Sequence, residues 1–389
     1  MKRLIIRNLG PLTDVSIELG RVNLIVGLQS SGKSCVLKTA CYCSWVEKRI
    51  ELTQSPEEFV KDRSFVKILC EYHKMKDYIA ADTFIEYESS FMRFSYDNST
   101  GRFDFKWKSH RWDFKRPKIS YVPSERNLVA IIPMWTKLKL DGNLLDFMND
   151  WNTARNQSGV VYNVLDLGLS YSYDASTNLD TMILPEGNTI PLSDSSSGVQ
   201  SLVPLFIHLG YLFEGQFDDS AEQKQTYEQK EEERRITKLL ASHLEAENIA
   251  SDILREAVVQ TKGMMFFFSN TETAERFRKM ASQYLQTDHN EIFLEEPEDN
   301  LFPPTQCQLV DWLVDNVKSP RNREMLFVAT HSPYVLNQFI KDDPDDFRLF
   351  ITHPNHGVGK FTVKQLSEEE VRDVYENGVD LFFNFESYI

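Results

Sequence analysis

Residues Gly27–Ser34 (GLQSSGKS) have the types and the spacing to hold a chain of phosphates. Glycines let the backbone wrap closely around an anion, and successive N–H groups then point at its oxygens where a helix begins. In this reading Gly27, Ser30, Ser31, Gly32 and Cys35 line the loop, Lys33 reaches the outer phosphates, and Ser34 holds Mg2+. A chance match to the full pattern in a chain of 389 residues is on the order of one per cent at ordinary glycine frequency.

Three further segments carry compatible chemistry. In Glu291–Glu298 (EIFLEEPE) a short apolar run delivers two adjacent acids, Glu295 and Glu296. Beside a bound phosphate the first would support a Mg2+ shell and the second would act as general base toward water. Met325–Pro333 (MLFVATHSP) is again an apolar run ending in polar residues, with His331 set to donate a hydrogen bond to a terminal phosphate. Leu192–Ser201 (LSDSSSGVQS) precedes an apolar helical pattern, and its Ser197, Gly198 and Gln200 offer a hydroxyl and N–H groups at a helix start, an anion site.

The elements that must position these residues are legible in part. Residues 3–8 and 15–19 alternate apolar and polar as half-buried strands do, with Gly10 and Pro11 at the turn between them. Val22–Val26 reads as a buried strand running into the glycine loop, with a helix from about Lys33. Residues 64–122 read as strand-like and aromatic, with turns at Asp97-Asn98 and Gly101-Arg102. Residues 199–214 carry helical apolar spacing. Asp218–Arg235 is almost wholly polar, as a solvated helix or flexible arm would be.

Composition narrows the class. A net charge of −15 confines any nucleic-acid contact to a local patch. Five cysteines without paired ligand spacing read as thiols of a reducing compartment. No apolar run approaches the roughly 20 residues of a membrane helix, and the N-terminus lacks a signal-peptide pattern. Together these features imply a cytoplasmic protein with no membrane partner.

In this order the four motifs resemble the ABC-type ATPases of the RecF/SMC/OLD-like branch, which includes ATPases of phage-defence systems. Tyr121–Arg126 (YVPSER) is similar to a YIPAER segment of such proteins, and Glu295–Pro303 (EEPEDNLFP) to their EEPExxLHP. There are departures. Glu295 stands where Asp is usual, Phe302 where His is frequent, and Val199 replaces the second glycine of the LSGGQ signature. No Q-loop glutamine is evident, which leaves Arg126 as candidate for the nearby contact or as a structural ion-pairing residue.

The resemblance implies an α/β P-loop NTPase fold of the ABC head type, with a β-rich N-terminal subdomain and a helical signature subdomain. It implies ATP and Mg2+ as ligands, Glu296, His331 and Lys33 as catalytic residues, and Glu295 with Ser34 at the metal. It also implies a homodimer or higher homo-oligomer that sandwiches ATP, with Ser197, Gly198 and Gln200 facing the partner's nucleotide. Asp299 and Asn300 would lie at the subunit junction. We divide the single ATPase domain, 1–389, into a P-loop lobe (1–125), a signature lobe (126–285, charged insertion 213–255) and a Walker B/switch-His lobe with the tail (286–389).

Asp343-Pro344-Asp345 has the acidic spacing of a nuclease domain but reads as a turn, so a nuclease or toxin effector would be a separate protein. Arg102–Lys118 interleaves basic and aromatic residues, as a single-strand nucleic-acid platform or a ribbon with one packed face would. Val379–Phe385 is apolar enough to dock a partner or to cover the chain's own core. Two roles stay open at this point: the sensor or scaffold subunit of an anti-phage system, and a DNA-maintenance ATPase acting directly on DNA.

Overall fold

The computed structural model describes residues 2–132, 135–156, 161–215, 227–247, 257–319, 324–355, 359–376 and 382. Strands β1 (Lys2–Leu9) and β2 (Leu12–Leu19) form the opening hairpin, and β3 (Val22–Gly27) leads through the glycine loop into helix α1 (Lys33–Thr53). After α2 (Glu57–Val60) and α3 (Ser64–His73) come β4 (Ile79–Glu88), β5 (Met92–Asp97), β6 (Arg102–Trp107) and β7 (Pro117–Val122). Helices α4 (Leu128–Ile131) and α5 (Gly142–Asn156) precede a small sheet of β8 (Tyr162–Val164), β9 (Leu169–Asp174), β10 (Leu179–Ile183) and β11 (Thr189–Pro191). Helices α6 (Ser197–Phe213) and α7 (Tyr227–Glu247), the ribbon β12 (Ala257–Thr261) and β13 (Met264–Phe268), and α8 (Thr271–Leu285) follow. The chain then alternates β14 (His289–Glu295), α9 (Pro303–Lys318), β15 (Met325–Ala329), α10 (Pro333–Asp342) and β16 (Phe347–Asn355), and ends its described elements with β17 (Lys360–Gln365) and α11 (Glu368–Glu376).

One sheet of 11 strands, in the order β6-β5-β4-β1-β2-β17-β16-β3-β15-β14-β7, organises the molecule. Its half from β16 to β7 is parallel throughout, and the half from β6 to β2 is antiparallel. The parallel strands are apolar on both faces because helices cover both, as parallel sheets require. Leu24 and Val26 of β3 enter a core with Leu202, Leu205 and Leu309 of α6 and α9. Their neighbour Ile25 enters the opposite core, with Val36, Leu37 and Ala40 of α1. The strand period of two thus feeds two cores from one strand. With a P-loop between a central parallel strand and its following helix, the fold is that of a P-loop NTPase with an added antiparallel lobe.

The structure departs from the sequence expectation at one element and extends it at another. Ser64–His73 is a helix and not strand, because Phe65, Val66 and Leu69 fall on one helical face and are buried. Helix α7 runs on to Glu247, and Ile236, Leu240 and Leu244, spaced by four, bury one of its sides against α8. Asp218–Thr226, at the start of the polar run, lie outside the described residues, as does Val379–Phe385 apart from Phe382. Asp343 caps α10 in the left-handed region, so Asp343–Asp345 forms the expected turn. Among the described residues no helix is long and apolar enough to cross a membrane, and no cysteine is bridged.

Candidate functional site

Strands β3, β15 and β14 are adjacent and parallel, and they end together. Ile25 lies opposite Ala329, and Ala329 opposite Glu295. The residues just beyond these ends are the glycine loop, His331 and Glu296. Open α/β sheets bind ligands at this carboxyl edge, where loops leave the strands and helix N-termini converge.

The glycine loop is shaped by left-handed backbone at Gly27 (φ 151), Ser30 (φ 60) and Gly32 (φ 99). A Cβ on Gly27 would lie 1.8 Å from the Thr352 hydroxyl of β16, so only glycine fits there. The same hydroxyl meets Ser31 Oγ at 2.5 Å, and Ser31 also donates to the Leu28 carbonyl at 2.6 Å. Thr352 therefore anchors the loop from below, a role no sequence motif signals. Helix α1 opens at Gly32 without a side-chain cap, so its first N–H groups remain available to an anion.

Lys33 is buried, yet its ammonium finds only main-chain acceptors, the carbonyls of Gly27 at 3.0 Å and Leu28 at 2.8 Å. Burial pulls its pKa down to about 8, partly offset by the charges of Glu296 and Glu298. A desolvated cation curled into its own loop is a cation without a counter-anion, and a phosphate chain supplies one. Ser34 is partly exposed on the first turn of α1. The Cys35 side chain is buried, with its thiol pushed up to about 12, so only its N–H can face a ligand.

Glu295 is buried at the end of β14, with Lys38 Nζ 3.9 Å from its carboxylate. Glu296 turns outward through left-handed backbone (φ 43), fixed by a hydrogen bond from its N–H to the Ala329 carbonyl at 2.8 Å. His331 Nε2 lies 3.4 Å from Glu296 Oε1. Hydrogen bonding from His331 holds the Glu296 carboxyl below its ordinary pKa, opposed by partial burial. The Glu298 carboxylate accepts from the His331 N–H at 2.6 Å, which ties the acidic turn to the loop after β15. Burial raises the Glu298 carboxyl above its usual value.

Arg126 is fully buried and grips main-chain carbonyls rather than a carboxylate. It donates to Glu295 at 2.9 Å, Glu296 at 2.7 Å, Pro123 at 3.3 Å and Ser201 at 3.3 Å. The YVPSER segment is thus the clamp that joins the end of β14 to α6. Glu298 and Arg126 both lie in segments singled out from sequence, but their wiring depends on which carbonyls the fold brings near.

The Ser197–Gln200 segment opens α6, capped by Ser196, whose hydroxyl accepts from the Val199 N–H. Ser197 is exposed. The Gln200 amide is turned back to the Ser193 carbonyl at 2.7 Å. Gly198 abuts the Asn300 carbonyl, 2.9 Å from an added Cβ, and the Asn300 amide donates to Ser201 Oγ at 2.9 Å. The structure therefore brings Lys33, Glu295, Glu296 and His331 to one edge, and joins the signature segment to that edge through Asn300 and Arg126.

These residues suit a nucleoside triphosphate with Mg2+: an uncapped helix start, a cation lacking a counter-anion, and a hydroxyl and a carboxylate beside them. Among the described residues no cluster of three His, Cys, Asp or Glu could hold a metal alone. A metal here would be shared with phosphate oxygens.

The basic and aromatic segment 102–118 does not fold on itself as a ribbon: Arg102–Trp107 is the edge strand β6, paired with β5, and Pro117 and Lys118 open β7 at the opposite edge of the sheet. Phe103 is buried, Arg111 lies 3.9 Å from the Trp107 ring centroid, and Trp112 stacks on His243 at 4.0 Å. Several of its cations are paired as well, Arg102 with Asp104 at 2.6 Å, Lys108 with Glu88 at 2.7 Å and Lys118 with Asp150 at 2.8 Å. These rings and charges, engaged within the protein, are not open to stack on bases.

The sequence matches no protein-family model and no curated relative. In shape the chain is similar to the SMC head domain from Thermotoga maritima, with TM-score 0.42 at 12% identity over 94% of this chain and 98% of that one. It is also similar to the Smc head domain with an extended coiled coil from Pyrococcus furiosus, with TM-score 0.41 at 10% identity over 97% and 99%. For an ATP-binding cassette of an ABC transporter the TM-score is 0.31 at 12% identity over 98% and 99%. At such scores these likenesses carry no weight of their own, and the fold assignment rests on strand order and the glycine loop.

Proposed function

We propose that this chain binds and hydrolyses ATP with Mg2+ as an ABC-type ATPase, and that two copies close around the nucleotide. The observation that carries the reading is the shared carboxyl edge of β3, β15 and β14, which sets the glycine loop, His331 and the Glu295–Glu296 pair side by side. The N–H groups of residues 30–35 and Lys33 would hold the phosphates, and Ser34 with Glu295 would hold Mg2+. Bound there, the ion would supply charge neutralisation for the phosphates. Glu296, kept ionised by His331, would take the proton of the attacking water. His331 would hand its hydrogen bond from Glu296 to the terminal phosphate as that oxygen gains charge. The exposed Ser197 would complete the partner's site.

Trapping tests this directly. Glu296→Gln should bind ATP and accumulate as a dimer by mass photometry, while Lys33→Ala stays monomeric with the same nucleotide. If both stay monomeric and neither binds ATP in calorimetry, the reading fails. The finer role as sensor or scaffold beside a separate nuclease or toxin rests on the resemblance of residues 121–126 and 295–303 alone. Hydrolysis indifferent to double-stranded DNA fits it, whereas severalfold DNA stimulation, steepening as salt falls, fits the DNA-maintenance role.

A further inference from the structure

The register of the sheet builds a particular environment for Glu295. Phe293 of β14 lies opposite Tyr121 of β7, and both rings belong to the core beneath α1. Side chains two residues apart on a strand share a face, so Glu295 points to that same side, nearer the carboxyl edge. There the buried Tyr121 hydroxyl hydrogen-bonds to the Glu295 carboxylate. Burial, with that negative charge beside it, pushes the Tyr121 pKa well above its ordinary value, so the hydroxyl remains a donor. The His73 ring of α3 packs edge to face on the phenol at 5.1 Å and backs it.

Helix α1 completes the surroundings. Ser34 and Lys38 are four residues apart and so lie on one face of it. The Lys38 ammonium is 3.9 Å from the Glu295 carboxylate, and Ser34 lies one turn nearer the glycine loop. These two partners of Glu295 differ in kind. A carboxylate has about four lone-pair sites on its two oxygens, so it can keep the Tyr121 bond while it also holds a metal. A hydrogen bond of that sort aims a metal ligand, and its loss typically costs about 10–100-fold in metal affinity. An ammonium instead supplies the positive charge that a metal would bring, so the two cations compete for one carboxylate. We propose that Tyr121 is the positioning residue that aims Glu295 at Mg2+, and that Lys38 is the stand-in cation that Mg2+ displaces. A glutamate has one more side-chain torsion to fix than an aspartate, and Tyr121 fixes it.

The inference rests on the ATP and Mg2+ reading above. Its test compares ATP affinity in Mg2+ and in EDTA, by calorimetry on the full chain carrying Glu296→Gln so that the nucleotide survives the titration. The ratio of the two dissociation constants reads what the metal adds. Tyr121→Phe, which removes only the hydroxyl, should shrink that ratio about tenfold. Lys38→Met, which keeps the stem and frees the carboxylate of its cation, should enlarge it about fivefold. A general loss of structure would not move the two in opposite directions. Glu295→Asp, which draws the carboxylate back from Tyr121, should also shrink the ratio, and adding Tyr121→Phe to it should cost no more. Unchanged ratios in Tyr121→Phe and Lys38→Met, or shifts of the same sign, overturn the proposal. So does a parent chain that binds ATP equally with and without Mg2+, although nucleotide binding then stands. A parent chain that binds no ATP overturns both.

Discussion

Two acids one residue apart end up with different surroundings because one backbone torsion separates them. Glu295 stays in the strand and is buried, whereas Glu296, in the left-handed region, swings out to His331. Glu296→Gln keeps the shape but removes the base, so kcat should fall roughly 10²–10⁴-fold with little change in ATP affinity. Lys33 sets a pH dependence. Phosphate binding raises its pKa above the free value of about 8, so binding takes up a proton. Affinity is full below pH 8 and weakens as pH rises past it, and titrations in buffers of different ionisation enthalpy should show the uptake. Arg126→Met leaves the carbonyls of Glu295, Glu296 and Ser201 without a donor. It should destabilise the fold by about 2–4 kcal/mol in denaturant unfolding, and slow hydrolysis besides.

Among the elements, the glycine loop and the strand ends that flank it were legible because each is a local pattern: an apolar run, then a fixed set of polar residues. What escaped is what depends on long-range placement. Thr352 lies far along the chain, inside an ordinary strand, and only the pairing of β16 with β3 brings it under Gly27. Gly27→Ala should therefore abolish nucleotide binding in calorimetry, whereas Thr352→Ala leaves the loop backbone in place and weakens binding only severalfold. Helix α3 was missed because the aromatic residues around it resemble strand text, although its apolar spacing is helical. The buried cluster at the start of β14 was equally silent. There the Lys2 ammonium pairs with the Glu291 carboxylate, and His289 reaches Glu291 at 3.5 Å and Asp288 at 3.4 Å. Burial opposes the charge on His289, but hydrogen bonds to these acids lift its pKa to about 9. Its stabilising effect is complete below about pH 6.5 and is lost as pH rises through 9. The unfolding midpoint should drop across that window, and His289→Gln should flatten the drop.

At the scale of the whole molecule, the parallel half of the sheet carries the proposed chemistry and the antiparallel half extends the sheet beyond β17 as far as the edge strand β6. Among the described residues the signature segment is hydrogen-bonded to the edge residues of its own chain through Asn300 and Arg126, and Ser197 is exposed. On the proposed reading one copy would hold two partial sites, and closure of two copies would complete both. Gly198→Ala would push α6 off Asn300 and should leave ATP binding intact while reducing nucleotide-dependent dimers severalfold in mass photometry. The measurement that bears most directly on the account is the steady-state rate of phosphate release from ATP and Mg2+ by the purified chain, beside Glu296→Gln and Lys33→Ala. The account predicts turnover in the wild-type protein that both substitutions remove. Turnover that survives Glu296→Gln, or a wild-type rate no higher than that of Lys33→Ala, would contradict it.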